Sequence, residues 1–345
     1  MRLRQLRHDI PTWWFMKVLT LNADDVRSLL HMNECRELMH DTLSALAREN
    51  AINPLRQGMW LPERVGVLGM MPGAILEDPS ILGIKVISVF PGNHGSDLDC
   101  HQGAVMLFNS QNGCPLAFVD ASALTEIRTA CVTAVATRAL ARPDSDSLGI
   151  LGSGVQARSH LFALLQTVEI GHVNLWSRNI ENARKLAQHV QEKLRQRLSI
   201  KVCETAEEAV RESTIVCTTT ASNDPVVSGE WLQPGQHINA IGASVRFARE
   251  LDTEAVVRSK MFVDRRESAE NEAGEFIFAQ EEGAIDGGHI RGELGDVLIG
   301  KVPGRESDEE ITLFKSLGLA VEDLASANHV FKKAKDEGVG TWIEW

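Results

Sequence analysis

The sequence lacks the features that mark membrane proteins, nucleic-acid-binding proteins and repeat proteins. No apolar run approaches the ~18 residues that a membrane span requires, and neither repeats nor low-complexity stretches occur. The 345 residues carry a formal charge of −12 at pH 7 and no basic block, which disfavours nucleic acid as a partner. With 43% hydrophobic residues, 27 glycines and only 11 prolines, the composition is typical of a soluble α/β enzyme.

The cysteines lack the spacing of a metal site, and we predict no metal centre. No secretory signal precedes them, because the apolar segment Trp13-Trp-Phe-Met16 is too short and no small-residue cleavage site follows it. We therefore expect reduced thiols in a reducing compartment, which favours a cytoplasmic protein. The six are Cys35, Cys100, Cys114, Cys131, Cys203 and Cys217.

The N-terminal residues 1–15 precede the first strand-like segment, which begins at Lys17. We interpret them as a tail outside the fold or as a mis-assigned start, and we leave open whether this tail is ordered. A mitochondrial presequence is the alternative.

The central motif is Gly152-x-Gly154-x-x-Ala157, which follows an apolar run and precedes a helical pattern. Gly152 permits a tight turn, Gly154 lets the backbone approach a pyrophosphate, and Ala157 lets helix and strand pack closely. The motif alone is weak, but two further β/α units follow it, so we predict dinucleotide binding. Further candidate cofactor residues are Val155, Gln156, Ser177, Arg178, Thr129 and Thr219.

The chain changes its pattern near residue 143. Before it, we predict a broken helix from Asn22 to about Asn50, a mixed or antiparallel sheet within residues 59–119, and a long helix at 122–141. After it, strands alternate with helices, which predicts a doubly wound, Rossmann-type parallel sheet. The capping box Ser307-Asp-Glu-Glu310 predicts a long helix running toward Ala334. We expect a Rossmann domain at 131–319 and an α+β domain at 16–130 completed by 320–345.

Ser177-Arg178 follows the second strand of the predicted nucleotide domain, where an acid would bind the ribose 2′-hydroxyl of NAD. No acid is present, and an arginine can pair with a 2′-phosphate. We therefore favour NADPH over NADH. The alternative is that Arg178 is an ordinary solvated arginine.

Cations in the N-terminal part are candidates for binding an anionic substrate such as an α-imino acid. Lys85 lies in an apolar run, Arg128 lies in a helix of small residues, and Arg56 follows Pro54. Taken alone, each is better explained as an exposed side chain, because lysine and arginine are mostly exposed. His101-Gln-Gly is either a polar loop near such a site or a turn before the next strand.

Together, several segments resemble the ornithine cyclodeaminase/μ-crystallin family over about residues 17–335. The matching segments are Gly83-Ile-Lys-Val, His101-Gln-Gly, Leu124-Thr-Glu-Ile-Arg-Thr-Ala, Leu148-Gly-Ile-Leu-Gly-Ser-Gly-Val-Gln-Ala, Asn239-Ala-Ile-Gly-Ala, Arg249-Glu-Leu-Asp, Gly292-Glu-Leu-Gly-Asp and Ser307-Asp-Glu-Glu-Ile-Thr-Leu-Phe-Lys-Ser-Leu-Gly.

The resemblance implies a homodimer whose N-terminal domain serves substrate binding and dimerisation. It implies hydride transfer at the Cα of an amino or imino acid, with Arg56 and Arg128 binding the carboxylate and Lys85 as the active-site lysine. His101 would lie beside the substrate. Lys85 would either hydrogen-bond the carboxylate or assist proton transfer.

One departure from the family pattern is Ser244, which stands where cyclodeaminases and related alanine dehydrogenases carry an aspartate. A serine at its ordinary pKa cannot serve as that base, so the resemblance favours the ketimine reductase/μ-crystallin members. We predict an NAD(P)H-dependent reductase of a small α-imino carboxylate, such as Δ1-pyrroline- or Δ1-piperideine-2-carboxylate, with Lys85, Arg128 and Ser244 as catalytic residues. The alternatives are an ornithine cyclodeaminase, an alanine or N-alkyl amino-acid dehydrogenase, and an NADPH-binding crystallin-like protein.

Overall fold

The computed structural model describes residues 16–77, 80–93, 96–194 and 198–345, and these residues form two eight-stranded sheets. The predicted tail at residues 1–15 lies outside the described residues. The strands are β1 (Lys17–Leu21), β2 (Ala51–Ile52), β3 (Gln57–Trp60), β4 (Val67–Ile75), β5 (Ile81–Val89), β6 (His101–Phe108), β7 (Pro115–Asp120), β8 (Ser147–Leu151), β9 (His172–Trp176), β10 (Ser199–Val202), β11 (Ile215–Thr218), β12 (His237–Ala240), β13 (Ser259–Val263), β14 (Ile290–Glu293), β15 (Ile311–Lys315) and β16 (Thr341–Glu344).

The helices lie between the strands. They are α1 (Ala23–Leu29), α2 (Met32–Ala47), α3 (Ala121–Leu140), α4 (Val155–Leu165), α5 (Ile180–Lys193), α6 (Ala206–Arg211), α7 (Thr253–Val257), α8 (Arg266–Glu272), α9 (Gly274–Glu281), α10 (Leu294–Leu298) and α11 (Ala320–Glu337). Short 3₁₀ helices are formed by Pro62–Arg64, Pro91–Asn93, Gly229–Trp231 and Gly287–His289. No helix within the described residues is long and apolar enough to cross a membrane.

The first sheet has the order β16-β1-β7-β6-β5-β4-β2, and β3 pairs with β4. The pairing of β1 with β7 is parallel, whereas the other pairs are antiparallel. Helices α2, α3 and α11 pack together, and α11 contacts β4, β5 and β6. The inward side chains of the sheet and these helices form the first hydrophobic core.

The second sheet is parallel throughout, with the order β10-β9-β8-β11-β12-β15-β13-β14. The chain leaves β8 toward one edge and returns at β11 on the other side of β8. Ligands of such sheets bind beyond the carboxyl ends of the strands at this switch point. The fold predicted from the sequence, a Rossmann-type parallel sheet with an α+β part, is therefore confirmed.

Helix α3 connects the two sheets. Asp120 caps this helix by accepting a hydrogen bond from the backbone N–H of Ala123 at 2.7 Å, and the small Ala, Thr and Val residues of α3 are mostly buried. One side of α3 packs on α2 and α11, and the helix also contacts α4 and β12. The domain boundaries at 130/131 and 319/320 remain predictions.

The predicted start of a long helix at Ser307 is wrong. Asp308 and Glu309 lie in a turn, the chain then forms β15 between β12 and β13, and the helix begins only at Ala320. The run Ile311-Thr-Leu-Phe-Lys is β-branched and aromatic, and burial in the centre of the sheet outweighs the local capping signal.

The predicted loop or turn at His101 is also wrong. His101 is the first residue of β6 and pairs with Val89 of β5. A Cβ on Gly103 would lie 2.1 Å from the carbonyl oxygen of Val86, so this glycine allows close pairing that extends the strand to His101.

Candidate active site

The turn between β8 and α4 has a backbone that its glycines permit. Gly152 has a φ of 121°, and a Cβ there would lie 2.6 Å from Oγ1 of Thr219. Gly154 is the N-cap of α4, and no side chain caps the first turn of this helix. A Cβ on Gly154 would meet no atom within 4 Å. Open space therefore faces unsatisfied N–H groups at the positive end of the helix, an arrangement that binds phosphate.

Two buried side-chain oxygen atoms on the neighbouring helices α3 and α4 lack a hydrogen-bond partner among the described residues. Oγ1 of Thr129 and Oε1 of Gln156 have none among the described residues. Buried polar atoms are rarely left unsatisfied, and a bound ligand is one means of satisfying them. With the open space at Gly154, these atoms fit a dinucleotide.

The other predicted cofactor residues lie around the same turn. Ala157 is buried in the core with Leu148 of β8, whereas Val155 is exposed at the start of α4. Oγ1 of Thr219 donates to the carbonyl oxygen of Leu151 at 3.1 Å, which joins the ends of β8 and β11. The switch point of the sheet thus brings together residues that are far apart in sequence.

The loop after β9 carries no carboxylate beside the strand end. The hydroxyl oxygens of Ser177 and Ser153 lie 2.8 Å apart. Arg178 is exposed and has no hydrogen bond or ion pair within the described part of the chain. The next acid, Glu181, pairs with Arg184. In a sheet of this type, Arg178 lies where the adenosine ribose is expected.

Lys85 and Arg128 share one carboxylate on the C-terminal helix. Nζ of Lys85 donates to Oδ1 of Asp323 at 3.1 Å and to Oγ1 of Thr125 at 2.6 Å. Nε of Arg128 donates to the same Asp323 oxygen at 2.9 Å, and Nη1 donates to Oε2 of Glu322 at 2.6 Å. Both cations are 3% exposed and both carboxylates are fully buried, so helix α11 holds the cations of β5 and α3.

Each of these two cations keeps a hydrogen-bond donor that no described residue uses. The ammonium group of Lys85 has three N–H bonds, of which Thr125 and Asp323 take two. Nη2 of Arg128 has no acceptor within the described ranges. These free donors are the ones available to an anionic ligand.

Burial and charge act against each other on the ionisable groups of this cluster. Burial lowers the pKa of Lys85 to about 8, although Asp323 opposes the shift. Burial raises the pKa of Glu322 to about 7, with Arg128 opposing. Burial also disfavours the charged form of Arg128, but Asp323 and Glu322 outweigh it and raise the pKa of the guanidinium.

Arg56 extends from the loop between β2 and β3 toward three segments near the second sheet. Nη1 donates to the carbonyl oxygen of Leu317 at 3.2 Å. Nη2 donates to the carbonyl oxygen of Ser244 at 2.6 Å and lies 2.7 Å from Oε2 of Glu272. Burial raises the pKa of Glu272, and Arg56 opposes this shift. Arg56 therefore binds the backbone of Ser244, not its hydroxyl group.

The loop that carries Ser244 is anchored by a buried carboxylate. Oε2 of Glu250 accepts hydrogen bonds from Oγ1 of Thr218 at 2.7 Å and from the backbone N–H of Gly242 at 2.6 Å. It also accepts a longer bond from the N–H of Ala243 at 3.3 Å. The loop after β12 is thereby tied to the end of β11, and the Ser244 hydroxyl has no partner among the described residues.

The loop between β15 and α11 separates the two arginines. Gly318 has a φ of 82°, and a Cβ there would lie 2.8 Å from both terminal nitrogens of Arg128. Oδ2 of Asp264 accepts hydrogen bonds from the N–H groups of Leu317 at 2.6 Å and Gly318 at 2.7 Å. Asp264 thus fixes the loop whose carbonyl binds Arg56.

His101 lies close enough to Lys85 for their charges to interact. Partial loss of hydration, followed by the Lys85 charge, lowers the pKa of His101, although its side chain remains exposed. The structure therefore brings Arg56, Lys85, Arg128 and Ser244 to the region between the sheets, with His101 near Lys85. The sequence reasoning missed Glu272, Glu322 and Asp323, which pair with the cations, and Asp264, which binds the loop beside them. The signal available was indirect, because buried cations require counter-charges.

A model of the ornithine cyclodeaminase/mu-crystallin family matches residues 16–338 of the chain. The chain belongs to this family. The resemblance found in the sequence motifs is therefore confirmed.

Relatives within the family include reductases of cyclic imino acids. A Δ1-pyrroline-2-carboxylate reductase of Bacillus cereus is 37% identical over 329 residues, which cover 95% of this chain and 100% of the relative. The ketimine reductase mu-crystallin of Rattus norvegicus is 37% identical over 317 residues, covering 90% and 96%.

A solved structure of similar fold is the Δ1-pyrroline-2-carboxylate reductase of Thermococcus litoralis in complex with NADH and L-proline. It is 39% identical, has a TM-score of 0.91, and the match covers 94% of this chain and 99% of that one. An archaeal alanine dehydrogenase dimer with bound NAD is 34% identical with a TM-score of 0.90, covering 96% and 100%. The roles of individual site residues remain predictions.

Proposed function

We propose that this protein is an NAD(P)H-dependent imine reductase that acts on a small α-imino carboxylate, such as Δ1-pyrroline-2-carboxylate or Δ1-piperideine-2-carboxylate. The observation that supports the proposal is the pair of Lys85 and Arg128. Both cations are held by the buried carboxylate of Asp323, and each keeps a hydrogen-bond donor that is free to bind an anion. The names of the reductases that are 37% identical to this chain support the same substrate class.

The reaction consumes an imine, a hydride and a proton. When bound, the nicotinamide cofactor supplies a hydride to the carbon atom of the C=N bond. The π electrons of that bond move to the nitrogen atom as the hydride adds. A new C–H bond forms, and the nitrogen takes a proton to give the amino acid. Arg56 and Nη2 of Arg128 would bind the carboxylate and align the reacting carbon, which is a positioning effect.

We propose that Lys85 donates this proton to the nitrogen atom of the substrate. Its pKa of about 8 lies near neutral pH, where a general acid is most effective. The free hydroxyl of Ser244 would hydrogen-bond the substrate nitrogen. Because a serine cannot replace the aspartate base of the cyclodeaminases, ammonia release from ornithine is not expected.

NADPH is the cofactor that the loop after β9 favours. Gly152, Gly154 and the first turn of α4 would hold the pyrophosphate, and Thr129 and Gln156 would bind polar groups of the dinucleotide. Arg178 has no carboxylate partner to neutralise it, so its guanidinium is available to a 2′-phosphate.

We also propose a homodimer, with the outer face of the first sheet as its interface. Within the described residues, one row of side chains on this face is apolar across β4, β5, β6 and β7, and the next row is apolar across β4, β5 and β6 and ends at Asp120 of β7. The helices of this part of the chain pack on the opposite face. One solved relative is described as a dimer. The paired outward residues are Pro72, Ile84, Met106 and Phe118 in one row and Met70, Val86 and Ala104 in the next.

The experiment is to follow NADPH and NADH absorbance with both cyclic imines. We expect oxidation of the cofactor with NADPH preferred, and no ammonia from ornithine.

Arg128→Ala should abolish turnover while cofactor affinity falls less, which separates an enzyme from a cofactor-binding protein. Arg178→Ala should raise the KM for NADPH and leave that for NADH unchanged. Bound cofactor without oxidation by any α-imino acid would exclude the proposal.

A further inference from the structure

Arg56 is already bound to a carboxylate of the protein itself. Glu272, the last residue of α8, lies 2.7 Å from Nη2 of Arg56, and the two side chains are 18% and 25% exposed. Nη2 also donates a hydrogen bond to the Ser244 carbonyl at 2.6 Å. Two oxygen atoms of the protein therefore lie against this nitrogen, one hydrogen-bonded and one ion-paired.

The geometry of a guanidinium group makes this occupancy important. A carboxylate binds it through two parallel hydrogen bonds, either to Nη1 and Nη2 or to Nε and Nη2. Both arrangements place a carboxylate oxygen against Nη2. Because the oxygens of Ser244 and Glu272 already lie there, a substrate carboxylate can bind Arg56 in this way only after one of them has left.

Glu272 is the partner that can leave. The Ser244 carbonyl belongs to a loop whose preceding N–H groups, of Gly242 and Ala243, are bound by the buried Glu250. Glu272, in contrast, is a partly exposed side chain at a helix end. An incoming carboxylate would also repel it, because two like charges would meet on one guanidinium.

We propose that Glu272 occupies the substrate-carboxylate position on Arg56 in the free protein, and that ligand binding exchanges one carboxylate for the other. The inference rests on the proposed function, since it takes Arg56 as a substrate-binding residue. Glu272 then sets the affinity for carboxylate ligands, because each ligand must break the Arg56–Glu272 pair.

The test is calorimetric titration of L-proline into the protein saturated with NADPH, a pair that cannot exchange hydride. Glu272→Gln keeps the shape of the side chain but removes its charge, and Glu272→Ala removes the competing group. We expect both variants to bind L-proline about tenfold more tightly than the wild type. L-Prolinamide, which lacks the carboxylate, should show no such gain.

Glu270→Gln is the matched control, because Glu270 lies on the same helix and pairs with Arg266 at 3.7 Å instead. Its affinity for L-proline should equal that of the wild type. Unchanged or weaker L-proline binding by both Glu272 variants would overturn the exchange, as would an equal gain for L-prolinamide.

The outcome separates this inference from the proposed function. Tighter L-proline binding without imine reduction supports the exchange and contradicts the reductase. Imine reduction with unaltered L-proline affinity in both Glu272 variants contradicts the exchange alone. Absence of L-proline binding in the wild type and in both variants overturns the exchange, because the expected gain is then missing.

Discussion

Lys85 is a buried amine whose charge depends on two oxygen atoms. Burial lowers its pKa to about 8, and the hydrogen bonds to Asp323 and Thr125 favour the charged form. Oγ1 of Thr125 donates its own proton to the carbonyl of Ala121 at 2.7 Å, so it serves Lys85 as an acceptor. The protonated amine predominates below a pH of about 8 and is lost above it.

We predict that kcat/KM for imine reduction falls as the pH rises through the pKa of Lys85. Thr125→Val removes an acceptor that stabilises the charged amine, so the pKa falls further. The declining part of the pH profile should therefore move to lower pH by about one unit. The measurement is the pH dependence of NADPH oxidation for both proteins.

Thr133→Val is the control for this prediction. Thr133 lies on the same helix, and its hydroxyl is 3.0 Å from Nε2 of His160, away from Lys85. Its pH profile should coincide with that of the wild type. If Thr125→Val gives that same profile, Lys85 does not supply the proton.

At the scale of elements, the loop between β15 and α11 sets the position of Arg128. Gly318 is left-handed, and its missing Cβ makes room for the guanidinium. Gly318→Ala should therefore displace Arg128 and raise the KM for the imine about tenfold or more, while the Kd of NADPH changes little. Steady-state kinetics and fluorescence titration of the cofactor measure the two quantities.

Gly338→Ala provides the matched comparison. Gly338 is also left-handed, with a φ of 71°, but a Cβ there would meet no atom within 4 Å. This variant should lose about 1 kcal/mol of stability through backbone strain alone, measured by urea unfolding, and keep its KM. If Gly318→Ala also keeps its KM and loses only stability, contact with Gly318 does not set the position of Arg128.

The same elements show what the sequence could and could not predict. The Gly152 turn and the cations were predictable, because short motifs carry them. Glu322 and Asp323 were not, because acids in the first turn of a helix are ordinary and the predicted helix began at Ser307. Strand β15 was missed for a related reason: its place between β12 and β13 depends on distant burial, which a local capping pattern does not report.

At the scale of the whole molecule, helix α11 joins the end of the second sheet to the core of the first. It follows β15 directly and packs on β4, β5 and β6. The chain then adds β16 to the edge of the first sheet beside β1. The sequence predicted the return of the C-terminal helix, but not this last strand, whose four residues are all exposed and carry little pattern.

The outer face of the first sheet yields the last prediction. Met106 lies in the middle of this face, paired with Ile84 on one side and Phe118 on the other. A charge there would be buried by a second copy, at a cost that an isolated chain avoids. Met106→Glu should therefore convert a dimer into a monomer, as measured by sedimentation or light scattering at micromolar concentration.

Val257→Glu is the control, because Val257 is 46% exposed on α7, beside the other sheet. This variant should remain dimeric, since its surface lies outside the proposed interface. A monomeric mass for the wild type would contradict the dimer itself. A dimeric mass for Met106→Glu would instead place the interface elsewhere, because an unpaired carboxylate cannot be tolerated at the centre of an apolar contact.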